Sequence, residues 1–161
     1  MKIGLGCDHG GYNLKEEIKK HLEARGIEFI DYGTRNGIDS VDYPIYGEKV
    51  ANAVISKEVD YGIVCCGTGI GISLAANKVS GIRCAVVSDT FSAKMSKAHN
   101  NANMLSLGER VLGRGLALEI YQELGGTESD ENFEDMNRFA GEGNIAHIIE
   151  MIRDDIDNIL K

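Results

Sequence analysis

Three short stretches of the chain gather groups that could do acid–base chemistry: Cys7-Asp8-His9-Gly10-Gly11, Cys65-Cys66-Gly67-Thr68-Gly69-Ile70-Gly71 and Ser88-Asp89. Each stands where a short apolar run ends. The second is the most informative, because the run enters a loop with glycine at every other position and a helical pattern begins directly afterwards. Backbone N–H groups without large side chains in front of them then collect at a helix start, which makes a cradle for an anion or an oxyanion. The spacing is G-x-G-x-G, not the dinucleotide fingerprint G-x-G-x-x-G, and no P-loop Gly-Lys-Ser/Thr follows. It is not a cysteine-phosphatase loop either, since Gly71 and Ile72 stand six residues after Cys65 and Cys66, where an arginine is required.

Cysteine sharpens the reading. Cys65 and Cys66 are consecutive in an expected strand and must point to opposite faces, with Cys66 the one beside the glycine loop. A helix start stabilises a thiolate, so Cys66 reads as a usable base or nucleophile, whereas Cys7, Cys65 and Cys84 read as small buried core residues. Among the four histidines, His9 follows the first expected strand and His99 precedes Asn100-Asn101-Ala102-Asn103 near the fifth. With Asp8 beside His9, an acid–base constellation at strand carboxyl ends is expected from these two. His21 and His147 fall in helical stretches away from it.

The elements that must position these groups alternate strand and helix. Strands are expected over residues 3–7, 27–32, 61–66, 82–87 and 104–107, and helices over 12–24, 46–55, 70–77, 90–99 and 116–124. Such an order implies an α/β, Rossmann-like three-layer fold with a five-stranded parallel sheet covered by helices on both faces, and a functional site at the strand carboxyl ends. A further amphipathic helix through Ile148, Ile149, Ile152, Ile156 and Ile159 is expected as a C-terminal extension that packs on a partner subunit.

Length and charge exclude other classes. At 161 residues the whole chain is expected to be a single domain with its own core. A net charge of -8 disfavours nucleic-acid or anionic-membrane partners, and no apolar run approaches the roughly 18 residues of a membrane span. The first residues lack a signal-peptide pattern and the cysteines lie in apolar runs, so a reduced, cytoplasmic protein is expected. The charge is uneven: residues 1–125 carry 14 basic and 15 acidic side chains, while 126–161, an acidic tail, carry 3 and 10.

Taken together, Gly6-Cys7-Asp8-His9-Gly10-Gly11, Asp42-Tyr43-Pro44, Cys66 through Ile72, Ala75-Ala76-Asn77-Lys78, Gly81-Ile82-Arg83, His99-Asn100 and Gly108 through Gly113 resemble, in order, the ribose-5-phosphate isomerase B / galactose-6-phosphate isomerase family. The resemblance covers residues 1 to about 124 and implies a metal-free, cofactor-free aldose–ketose isomerase acting on a small-molecule sugar phosphate. It also implies a homo-oligomer, dimer or tetramer, whose subunits share active sites. Carried over by position, Cys66 is the base that moves a proton between C1 and C2, and Thr68 with the backbone of Gly67, Gly69, Ile70 and Gly71 stabilises the enediolate. His99 opens the furanose ring, Asp8, His9 and Asn100 hold hydroxyls or phosphate, Tyr43 touches the sugar, and Arg110 binds the phosphate.

The sequence departs from that pattern in the tail. Family members end with a Gly-Gly-Arg-His-x-x-Arg-like segment whose arginines grip the phosphate, and alignment on Ile152 puts Asn144 and Ile148 at those places. Neither offers the charge-assisted bidentate contact of an arginine. Arg114, Arg138 and His147 are the candidate substitutes. The loss admits a second substrate reading, a hexose or tetrulose phosphate or an unphosphorylated aldose, and a third in which the protein only binds sugar phosphate.

Overall fold

The computed structural model describes residues 1–112. Five parallel strands, β1 (Lys2–Cys7), β2 (Glu28–Asp31), β3 (Tyr61–Cys66), β4 (Cys84–Val86) and β5 (Met104–Gly108), form one sheet in the order β2-β1-β3-β5-β4. The helices between them are α1 (Tyr12–Ala24), α2 (Tyr43–Ile55), α3 (Ile70–Ala76) and α4 (Thr90–Ala98), and α5 (Glu109–Leu112) follows β5. The expected α/β architecture is present; the expected helices over 116–124 and 145–160 lie outside the described residues.

Right-handed crossovers decide which helix covers which face. The chain moves one way along the sheet from β1 to β2 and from β4 to β5, and the other way from β2 to β3 and from β3 to β4. Accordingly α1 and α4 share one face with Ile3, Leu5, Ile63, Cys65 and Leu105, while α2 and α3 share the other with Val64, Cys66, Cys84 and Met104. The α2 face is lined by glycine where α2 crosses: a Cβ on Gly6 would lie 2.6 Å from Val50 Cγ2, and one on Gly62 would lie 2.9 Å from Val50 Cγ1. Val50 is thereby seated directly on the sheet and fully buried.

Two elements start two or more residues from their expected places, for identifiable reasons. Helix α2 begins at Tyr43 instead of residue 46, because Pro44 fits the first helical turn, where its missing N–H costs nothing. Strand β4 is only three residues long. Its start is fixed by Asn77, whose side-chain amide donates to the Cys84 carbonyl and accepts from the Cys84 N–H, both at 2.8 Å. Asp89, one of the acidic groups singled out for chemistry, caps α4 by accepting from the Ser92 N–H at 2.7 Å. That bond, with the Ser92 hydroxyl, holds its carboxyl below the usual range.

Candidate active site

The order of the strands reverses between the parallel neighbours β1 and β3, and the loops leaving their carboxyl ends meet there. Gly10 and Gly11 let them touch: a Cβ on Gly11 would lie 2.3 Å from the Cys65 carbonyl carbon, and one on Gly10 3.2 Å from the Gly67 nitrogen. Asp8, buried at the turn, accepts from the Gly10 N–H at 2.9 Å. His9 accepts at Nδ1 from the Val41 N–H at 3.2 Å, which leaves Nε2 to carry the proton of the neutral ring.

The loop after β3 wraps around Cys66. Its sulfur accepts from the Gly69 N–H at 3.1 Å, and Thr68 Oγ1 accepts from the Ile70 N–H at 3.2 Å. Gly69 has φ +78°, and a Cβ there would lie 3.0 Å from the Leu107 carbonyl carbon, so left-handed backbone and close approach both demand glycine. The buried Ser106 hydroxyl donates to the Gly69 carbonyl. On one side the Arg110 N–H donates to the Gly67 carbonyl at 3.0 Å, with its guanidinium carbon 3.5 Å from where a Gly67 Cβ would be. On another, the Tyr43 ring lies 2.9 Å from the Cβ position of Gly71.

A half-buried network of ion pairs lies beside β1, with Lys15 its buried member. Lys15, with a side chain only 2% exposed, donates to Asp31 at 2.8 Å and to the Thr34 carbonyl at 3.2 Å, and pairs with Glu16 at 3.0 Å. Burial by itself would lower the Lys15 ammonium, but its bonds to Asp31 and Glu16 outweigh that and raise it. For Asp31, burial works upward and is outweighed by Lys15, the Gly33 N–H and Lys19, which leave it lowered. Glu109 caps α1, accepting from the Leu14 N–H and the Asn13 side chain at 3.0 Å each. Burial pushes Cys7 and Cys84 up to about 12 and Cys65 well above the usual thiol range, in keeping with their reading as core residues.

Asp8, His9, Tyr43, Cys66, Gly67, Thr68, Gly69, Ile70, Gly71 and Arg110 therefore converge at the carboxyl edge. His99 and Asn100 do not. The sequence reading put both histidines at strand carboxyl ends, but His99 follows α4, which runs back across the sheet, and the loop leads into the amino end of β5. Met104 pairs with Gly62, four residues before Cys66 along β3, a span of about 13 Å. Sequence reasoning also passed over Ser106 and Glu109. The first was legible as a lone hydroxyl in an apolar strand, the second as an acid at a strand end.

Comparison with known proteins places the chain in a family. The Ribose/Galactose Isomerase family model matches residues 3–140, a span ending before Asn144 and Ile148. Ribose-5-phosphate isomerase B of Escherichia coli is 53% identical over 119 residues, covering 74% of this chain and 79% of the relative. Galactose-6-phosphate isomerase subunit LacB of Clostridium acetobutylicum is 43% identical over 120 residues, covering 74% and 69%. The solved structure of Clostridium thermocellum ribose-5-phosphate isomerase B superposes with a TM-score of 0.69 at 55% identity, covering 88% of this chain and 96% of that one. On sequence and fold, the chain belongs to the Ribose/Galactose Isomerase family of sugar-phosphate isomerases, enzymes that interconvert an aldose and a ketose.

Proposed function

We propose that the protein interconverts D-ribose 5-phosphate and D-ribulose 5-phosphate with Cys66 as the base, in the cytoplasm. The observation that carries this reading is the Cys66 sulfur, at the sheet's switch point, receiving the Gly69 N–H inside a glycine loop bordered by Arg110 and Tyr43. The Gly69 N–H holds the sulfur in a fixed direction inside the loop. In the open-chain aldose the thiolate takes the C2 proton while the aldehyde oxygen gains one, giving an enediol(ate) held by the loop from Gly67 to Gly71 and Thr68. The proton returns to C1 as the C2 hydroxyl loses its own, and the ketose forms. Asp8, His9, Tyr43 and Asn100 orient the sugar, and Arg110 neutralises its phosphate.

Ring opening precedes this. His99 gives a proton to the ring oxygen as the C1–O bond breaks and the C1 hydroxyl loses its proton. With His99 at the opposite edge of its own sheet, we propose that it serves the site of a second copy in a homo-oligomer. Exposed Ile70 and Leu74, one turn apart on α3, suit a surface that such a copy covers. The test is to mix purified protein with ribose 5-phosphate and follow ribulose 5-phosphate. Cys66→Ala should lower turnover by about 10³-fold while the melting temperature holds, and full activity in that variant would sink the mechanism.

A second reading keeps the chemistry and changes the sugar. It is favoured by the LacB relative, named for galactose 6-phosphate, and by Asn144 and Ile148 at the places of the family's phosphate arginines. Comparing kcat/KM for each sugar with its phosphate decides it: a phosphate preference of 100-fold, about 2.7 kcal/mol, excludes a free aldose. Ligand-induced stabilisation without isomerisation of any pentose or hexose phosphate would leave only a binding protein.

A further inference from the structure

The loop bearing His99 and Asn100 is clamped by a side chain with no role so far. Helix α4 ends at Ala98, β5 begins at Met104, and the five residues between must turn the chain. Asn101 takes φ +48°, a left-handed conformation that asparagine tolerates better than most residues. Its carbonyl is captured by Arg83 Nε at 2.7 Å, while Arg83 Nη1 donates to the Gly81 carbonyl at 3.1 Å. Asn103 completes the clamp: its Oδ1 accepts from the Arg83 N–H at 2.8 Å and its Nδ2 donates to the same Gly81 carbonyl at 3.0 Å. One guanidinium thus joins the turn before β4 to the turn before β5. His99 and Asn100, both exposed, stand between that clamp and the last turn of α4, where the His99 N–H donates to the Met95 carbonyl at 2.9 Å.

We propose that Arg83 is a positioning residue for ring opening: by fixing the Asn101 peptide it sets where His99 is presented to the active site of a second copy. This rests on the isomerase reading above. The planar fork is needed because two carbonyls on different loops are held at once, which a lysine ammonium on a flexible stem cannot reproduce. A misplacement near 1 Å in such a group costs up to about 100-fold in rate.

Ring opening can be separated from proton transfer. Ribulose 5-phosphate cannot close a furanose ring through its phosphorylated C5 oxygen, so deuterium exchange at its C1 in D2O needs Cys66 and the glycine loop but not His99. Arg83→Gln and Arg83→Lys should each lower isomerisation of ribose 5-phosphate about 10- to 100-fold, yet leave C1 exchange of ribulose 5-phosphate within about threefold of wild type. In a His99→Asn background, adding Arg83→Gln should lower isomerisation by less than about threefold, since the group it positions is gone. Parallel loss of exchange and isomerisation would overturn the proposal, as would a raised KM with unchanged kcat and full additivity with His99→Asn, the signature of a direct substrate ligand. Wild-type protein that does not isomerise ribose 5-phosphate would defeat the substrate assignment instead; wild-type activity unaffected by either Arg83 variant would defeat this role of Arg83 alone.

Discussion

The two edges of the sheet are built by different means. At the carboxyl edge, backbone lies against backbone at Gly10, Gly11, Gly69 and Gly108, and a buried lysine–carboxylate network ties α1 to the loop after β2. At the amino edge, Arg83 and Asn103 hold the turns through exposed side-chain-to-backbone hydrogen bonds. The first arrangement admits no substitution without moving the backbone. The second can be replaced by water at little cost in stability, though not without loss of direction. The edge that would carry the base is therefore fixed by packing, and the edge that would carry the ring-opening histidine is fixed by orientation.

The largest expected effect tests whether the edges meet between chains. Cys66→Ala and His99→Asn should each lose activity by about 10²-fold or more, and subunits of the two mixed by refolding should regain about a quarter of wild-type activity, because half of randomly paired dimers hold one intact site of two. No recovery would mean that His99 works within its own chain or not at all. Next in size is Gly69→Ala, which places a Cβ 3.0 Å from the Leu107 carbonyl carbon in left-handed backbone. The strain costs about 1–2 kcal/mol in a urea titration, while displacement of the N–H on Cys66 should lower kcat by about 10²-fold.

The contrast in stability is sharpened by comparing Lys15→Met with Arg83→Gln. The first strips a half-buried carboxylate of its closest partner and should cost about 2–3 kcal/mol, less than a fully isolated pair because Lys19 remains 3.0 Å from Asp31. The second should cost under about 1 kcal/mol. The pH dependence follows in sign. Asp31 is lowered in the folded state, so its contribution is full above the unfolded carboxylate range and is lost as pH falls through its folded value. Lys15 is raised, so its contribution is present at neutral pH and lost as the solution becomes more alkaline than about pH 10. Wild type should therefore lose stability on both flanks, and Lys15→Met should show flatter ones. The smallest effect is chemical: with Cys7 and Cys84 up at about 12 and Cys65 higher than usual, iodoacetamide at pH 8 should label Cys66 first in the native protein, read by peptide mass spectrometry, with activity lost in step.

Much of this was legible in the sequence. The period of apolar residues announced the five strands and the helices α1 to α4, though not the short α5, because periodicity follows from which face is buried. The glycine loop announced the cradle, because only glycine lets backbone approach so closely. The alternation of Cys65 and Cys66 put the two thiols on opposite faces, since side chains along a strand alternate; that Cys66 takes the α2 and α3 face came from the fold. Pro44 marked the start of α2 but was read as part of a motif, which cost three residues of helix.

What the sequence could not decide is which edge each loop occupies. His9 and His99 look equivalent as a linear pattern, each beside polar residues near a strand. Chain direction separates them: one leaves a strand's carboxyl end, the other enters a strand's amino end, on opposite sides of a parallel sheet. Long-range partners were equally hidden. Nothing local predicts that Glu109 caps a helix that starts 97 residues earlier at Tyr12, or that Arg83 reaches Asn101. Residue types and spacing determined the chemistry available to this chain, because reactivity belongs to side chains. Only the tertiary structure decided which of those groups share a site, because proximity across a parallel sheet is set by strand order and direction.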